Sequence, residues 1–340
     1  MKPIRLPANQ LHHFYRGGER IAGFRGIPSE DPYAPEDWVG STTSRFGEGD
    51  RGLTVLAEGG TLRDAIAAAP EPFLGAAHVS SFGPDPALLV KLLDAGQRLP
   101  VHCHPDRDFA REHLGLATGK TETWLIVESE DASVHLGFRE DVEADVVAGW
   151  VERQDRDAML GALHELPVVP GDRVYVPAGL PHAIGEGILL VELQEPADLS
   201  VLLEYEGFQL DGPRDGHLGL GYDLALRCLD RGALGPGELA HLKAAASDLP
   251  ETRPGATTLL PPEADAFFRA ERLRPGPVAA LEPGFSILVA VAGHGRLEAE
   301  RGGRVDLAYG DTVLVPYAAG AAELTGEIDV LRCLPPKPEA

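Results

Sequence analysis

The sequence predicts a mainly β fold with helical insertions, built as two tandem β domains of which the second is degenerate. Two observations carry this. Glycine (40) and proline (29) are spread along all 340 residues, which suits short strands joined by tight turns rather than a helical bundle. More informative is an internal repeat: residues 171–177 read GDRVYVP and residues 310–316 read GDTVLVP, each a Gly-Asp turn and an apolar strand ending in proline. Another apolar strand precedes each copy, WLIVE at 124–128 and SILVAVAG at 286–293. Two copies of one β unit imply two related β domains in tandem.

Apolar spacing near 3.6 predicts helices over 61–70 (TLRDAIAAAP) and 86–95 (PALLVKLLDA). Residues 106–118 and the Ala-, Asp- and Glu-rich stretch 139–165 also read as helical. Strands are expected at 123–128, 172–177, 187–193 and 286–292, which are aliphatic or β-branched runs bounded by Gly, Pro or Asp. Segments 221–231 and 236–248 read as a helical connector. The expected bounds are a catalytic, metal-binding domain at 1–212, a connector at 213–250 and the degenerate β domain at 251–340. The two copies differ in chemistry: His182 stands five residues after Pro177, whereas Ala321 stands five after Pro316. Residues 252–340 hold one histidine, His294, between two glycines in an expected turn, so the second domain reads as structural.

Composition excludes several classes. The formal charge is −23, from 30 Lys+Arg against 53 Asp+Glu, and a surface of that sign does not neutralise nucleic-acid phosphates. No run approaches eighteen apolar residues, so no membrane helix is expected, and the N-terminal stretch lacks the apolar core of a signal peptide. The three cysteines, Cys103, Cys228 and Cys333, are too sparse for a disulfide framework. These features lead to the expectation of a cytoplasmic protein with a small-molecule partner and no nucleic-acid or membrane partner. An anionic partner is not excluded, because residues 91–120 carry five cations against four carboxylates.

Three segments point to one metal ion. In Val101-His102-Cys103-His104-Pro105, residues two apart on a strand share a face, so His102 and His104 reach the same ion. Gly119-Lys120-Thr121-Glu122-Thr123-Trp124 leads into a strand and offers a carboxylate, and Gly171-x5-Pro177-x-Gly179-x2-His182 offers a third imidazole. That last spacing resembles the second signature of cupins, and Gly96-x5-His102-x-His104 resembles the opening of the first, with Asp108 in the place of its usual acid. The resemblance implies jelly-roll β-barrels for both domains. An N/O ligand set suits Zn²⁺, Mn²⁺, Fe²⁺ or Co²⁺. Cys103 alternates to the opposite face and reads as a small buried apolar residue.

Residues 88–124, LLVKLLDAGQRLPVHCHPDRDFAREHLGLATGKTETW, resemble the hallmark of the type I phosphomannose isomerase family, and VPAGLPHAIGEGILLVELQEPAD at 176–198 resembles its second. Glu36-Asp37-Trp38-Val39-Gly40-Ser41 and residues 215–230 are more weakly similar, and the C-terminal domain matches only in architecture. The resemblance implies His102, His104, Glu122 and His182 as ligands of one divalent metal, zinc first. Position 102 departs from the family's usual Gln, and Glu122 is preferred to Asp108. It further implies Lys120 in phosphate holding or ring opening, Glu192 in proton transfer and Asp198 beside the substrate. Glu192 faces either the interior or solvent.

Two departures bear on the substrate. Leu202 stands where the family carries an Arg that binds substrate or phosphate, and Arg16 stands where it carries Trp; Arg16 is a candidate replacement in the pocket. The function implied is a metal-dependent aldose–ketose isomerase acting on mannose 6-phosphate and fructose 6-phosphate. The alternatives are an isomerase of a non-phosphorylated or other sugar, a different metal-cupin enzyme such as an oxygenase, and a non-catalytic sugar-binding or regulatory cupin.

Overall fold

The computed structural model describes residues 1–338. It is mainly β, with antiparallel sheets and short helices inserted between their strands. One sheet runs, in spatial order, Lys243–Ala245, Asp172–Val176, Glu122–Ser129, Ile188–Gln194, Leu89–Ala95, Glu36–Val39 and Gln10–Leu11. A second runs Val201–Leu202, His102–Cys103, His182–Ile184, Ser133–Phe138 and Leu163–Pro167. These two carry the histidines and carboxylates of the repeat's first copy. The third holds nine strands, all from the C-terminal part except Ile4–Arg5.

The helix expected over 86–95 is instead the strand Leu89–Ala95, with all seven residues buried. Its neighbours on either side are Ile188–Gln194 and Glu36–Val39, and its two faces are both covered. A strand buried on both faces loses the apolar–polar alternation, and its continuous apolar run mimics a helical stripe. Lys91 and Asp94 break that run like helix-surface residues, yet both are buried: Lys91 beside Glu36 and Glu192, Asp94 beside Arg20 and the Gly18 N–H.

Other expectations shift at their ends. The 139–165 stretch becomes helices Ala144–Arg153 and Arg156–Ala162, then the strand Leu163–Pro167. Of the 221–231 segment only Tyr222–Ala225 and a 3₁₀ turn at Leu226–Cys228 are helical. The 236–248 segment is helical over Pro236–Leu242, and then Lys243–Ala245 joins the edge of the first sheet against Asp172–Val176. His294 lies not in a turn but inside the 14-residue strand Ser286–Ala299, opposite Glu327. The flanking glycines follow a register shift between Ala290 and Ala292; Gly293 has φ +72°, and a Cβ there would stand 2.0 Å from the Glu327 carbonyl oxygen. These glycines serve a β-bulge and a close backbone approach.

The chain threads across the expected bounds. Ile4 and Arg5 pair with Leu314 and Val313 of the C-terminal sheet. One continuous apolar cluster holds Trp124 and Leu193 of the first sheet together with Phe268, Ile287 and Leu331 of the C-terminal part. The two β regions are joined by a shared core rather than by a linker.

Candidate active site

His102 and His182 sit directly opposite each other on neighbouring strands of the second sheet. His104 follows His102 by two residues and points the same way. Each ring is fixed by its Nδ1, which donates to a backbone carbonyl: His102 to Pro100 at 2.8 Å, His182 to Leu180 at 2.8 Å and His104 to Leu199 at 2.7 Å. That commits the protons to Nδ1 and leaves the lone pairs on Nε2. The Nε2 atoms of His102 and His182 face each other at 3.0 Å. Two lone pairs at that distance repel, and a cation between such nitrogens removes the conflict. Ligand atoms of the three imidazoles lie within 4.8 Å of one another, and all three residues are buried.

Glu122 comes from the facing sheet. Its carboxylate stands 3.1 Å from His104 Nε2 and 3.4 Å from His182 Nε2. Trp124 Nε1 donates to Glu122 Oε1 at 2.9 Å, while Oε2 faces the Lys120 ammonium at 2.9 Å. Burial depresses all three imidazoles, with Lys120 adding to it, and His104 and His182 fall to about 3. They stay neutral, as metal ligation requires. Burial pushes the Glu122 carboxyl up, but the Lys120 ammonium beside it outweighs that and holds it well below the usual carboxylate range. The donor set therefore fits one divalent cation, with three imidazole nitrogens and one carboxylate.

Lys120 closes one side, with Nζ 3.0 Å from His104 Nε2 and 2.9 Å from Glu122. Its segment is pinned by the Lys120 N–H on the Pro105 carbonyl and the Thr121 N–H on Glu195, both at 3.0 Å. A side chain at Gly119 would stand 2.6–2.7 Å from the backbone of Pro105, Asp106 and Arg107, so glycine permits this close approach.

Glu192 faces the interior rather than solvent. Its Oε1 lies 3.6 Å from Lys91 Nζ and 3.7 Å from Lys120 Nζ, and is buried without a hydrogen bond. Burial dominates here: despite the two lysines, the carboxyl rises to about 7. Burial pushes the Lys91 ammonium down, but Glu192 and Glu36 outweigh it and keep it charged. Behind Lys91, Glu36 accepts from Tyr15 Oη and Trp38 Nε1, each at 2.7 Å, and lies 3.4 Å from His13 Nε2.

These groups open into a cleft of about 790 Å³. Asp198 lines it outside the imidazole cluster, accepting the Phe46 N–H at 3.3 Å. Leu202 lines it too, as an apolar wall. Arg16 does not; it is on the surface, donating to Tyr33 at 3.2 Å. Asp108 is a solvated residue paired with Arg111, while Asp106 caps the short helix there. Sequence reasoning missed Lys91, which it placed in a helix, and the arginines of the cleft, Arg45, Arg51 and Arg214. A charged residue inside an otherwise apolar strand-length run was the available signal for Lys91; Arg45 and Arg51 lie in a Gly-rich loop with no pattern to mark them.

No family profile matches the chain. A mannose-6-phosphate isomerase of Streptococcus mutans is 32% identical over 195 residues, covering 56% of this chain and 57% of that protein. The chain thus aligns with little more than half the length of this curated relative. Among solved structures, the mannose 6-phosphate isomerase of Bacillus subtilis superposes with a TM-score of 0.78 at 23% identity, covering 98% of this chain and 99% of that one. A mannose 6-phosphate isomerase bound with zinc and yttrium superposes at 0.73 and 15% identity, covering 99% of this chain and 100% of that one. At these identities the superpositions establish the fold. The sequence relative and the fold neighbours carry the same name, mannose-6-phosphate isomerase, and this chain is similar to each of them.

Proposed function

We propose that this protein is a metal-dependent aldose–ketose isomerase that interconverts mannose 6-phosphate and fructose 6-phosphate. The observation that carries the reading is the pairing of two features in one cleft. One is a set of imidazole lone pairs and a carboxylate converging on a point; the other is a buried carboxyl between two ammonium groups. His102, His104, Glu122 and His182 would hold the metal, with zinc the first expectation. A divalent cation held there supplies Lewis-acid polarisation of a sugar hydroxyl or carbonyl oxygen.

The chain's own residues supply the rest. The reaction moves a proton between C2 and C1 and needs one base close to both carbons. Glu192 is assigned as that base, because a carboxyl near 7 takes and returns a proton at neutral pH. Lys91 and Lys120 flank it and oppose the negative charge that develops on the sugar oxygens. Lys120 also assists ring opening, and Asp198 orients a hydroxyl from the cleft wall. Burial of these groups keeps bulk water from the proton in transit. We assign the protein to the cytoplasm, where three free thiols are expected to stay reduced.

A coupled assay tests this with mannose 6-phosphate, fructose 6-phosphate and free mannose, before and after chelation. Turnover of the phosphosugars that chelator removes is expected. Because Leu202 makes part of the cleft apolar, turnover of free mannose alone would transfer the reading to a neutral sugar. No turnover of any of them by metal-loaded protein would overturn it.

A further inference from the structure

We propose that Arg45 and Arg51 form the binding site for the substrate's phosphate, and that Glu48 occupies this site when no substrate is bound. The inference rests on the isomerase reading above and specifies where that substrate's anionic end is held.

The two arginines face each other across a tight loop that follows the strand carrying Glu36. The Arg45 N–H donates to the Arg51 carbonyl at 2.8 Å, so the loop closes on itself. Both side chains line the cleft, and each donates to the His12 carbonyl at 3.1 Å. Glu48, at the loop's tip, bridges them: one carboxylate oxygen lies 3.0 Å from Arg45 and the other 2.8 Å from Arg51. A single carboxylate held between two guanidinium groups occupies the place of a bound anion. Two guanidinium forks offer more donors than one carboxylate accepts. Arg45 is the better sheltered of the two, at 14% side-chain exposure, and its Nε is buried without a hydrogen-bond partner. Asp198 is 3.7 Å from that atom.

The other cations of the cleft are committed. Lys91 and Lys120 contact Glu36, Glu122 and Glu192. Arg214 is paired with Asp211 and Asp215. Arg45 and Arg51 share Glu48, which is itself 35% exposed, and Asp198 reaches only Arg45, at 3.7 Å. A phosphate monoester brings up to two charges and three acceptor oxygens, so it satisfies both forks better than Glu48 does. The path from this corner to the imidazoles runs through His13, Glu36, Lys91, Glu192 and Lys120. The phosphate end and the reacting end of one sugar therefore have separate places in one cleft. Leu202 supplies no cation to the cleft, and charge binding falls to this loop.

The test compares metal-loaded wild type with Arg45→Gln, Arg51→Gln, the double variant and Glu48→Gln, using mannose 6-phosphate as substrate and inorganic phosphate as competitive inhibitor. Each Arg→Gln change should raise KM, and the inhibition constant for phosphate, by about 10- to 100-fold, the loss of a charge-assisted hydrogen bond. The value of kcat should change much less. Glu48→Gln removes the internal competitor and should tighten phosphate inhibition. Arg45→Lys and Arg51→Lys, which keep the charge, should recover part of the loss, and matched melting temperatures separate binding from unfolding. An unchanged KM and unchanged phosphate inhibition in a folded double variant would overturn the proposal while leaving the isomerase reading intact. A fall in kcat with KM unchanged would overturn it in favour of a purely structural loop. Absence of turnover in wild type would overturn the isomerase reading itself, and with it this one.

Discussion

Replacing Glu192 with Gln tests the assignment of the proton-transferring group through a quantity that does not depend on turnover. Burial raises this carboxyl from its ordinary 4.5 to about 7 in the metal-free protein. Between those two values the folded state keeps a proton that the unfolded chain has lost. Stability then falls as pH rises, because the slope follows the difference in bound protons between the unfolded and folded states. A rise from 4.5 to about 7 corresponds to about 3 kcal/mol. Urea unfolding of chelator-treated wild type and Glu192→Gln at pH 4 and pH 8 measures it. The stability of wild type relative to the variant should drop by about 3 kcal/mol over that range, with the loss complete just above pH 7. A pH-independent difference between the two proteins would refute the argument that burial dominates the two flanking lysines. In the metal-loaded enzyme the same substitution should lower kcat by about 10²- to 10⁴-fold, the usual contribution of a positioned acid–base group.

Further outcomes follow from the same geometry. His104→Ala should lose the metal, read by elemental analysis of freshly purified protein; full occupancy in the variant would remove His104 from the ligand set. Trp124→Phe removes the indole N–H that fixes Glu122 Oε1 and should weaken metal affinity about 10- to 100-fold, the usual cost of losing such a supporting bond, as measured by chelator competition. Phe268→Ala should cost about 3–5 kcal/mol and destabilise both β regions in one unfolding transition, because Phe268 lies in the cluster they share. Two separate transitions would show that the core does not couple them.

Much of the site was legible because its residues sit in short contiguous segments. His102 and His104 follow strand alternation, and His182 comes at fixed spacing after a Gly-Asp strand, so sequence order alone collects the three imidazoles. Glu122 enters from the other sheet, and only its place beside Lys120 in a recognisable segment marked it. Lys91 was hidden by physics: a strand buried on both faces carries the same continuous apolar signal as a buried helix. Asp198 lies in the cleft but not among the imidazoles. Arg45 and Arg51 were invisible, because a loop held by its own backbone bonds and by the His12 carbonyl has no periodicity. The glycines beside His294 misled in the opposite direction. Gly-His-Gly reads as a turn, yet these glycines serve a bulge and close backbone contact within one long strand.

Titration of chelator-treated protein with zinc, following ketose formation from mannose 6-phosphate, tests the metal-dependent isomerisation most directly. The expected rate rises linearly and reaches its plateau at one metal per chain. Turnover that is independent of added metal, or that is absent at saturating metal, would contradict it.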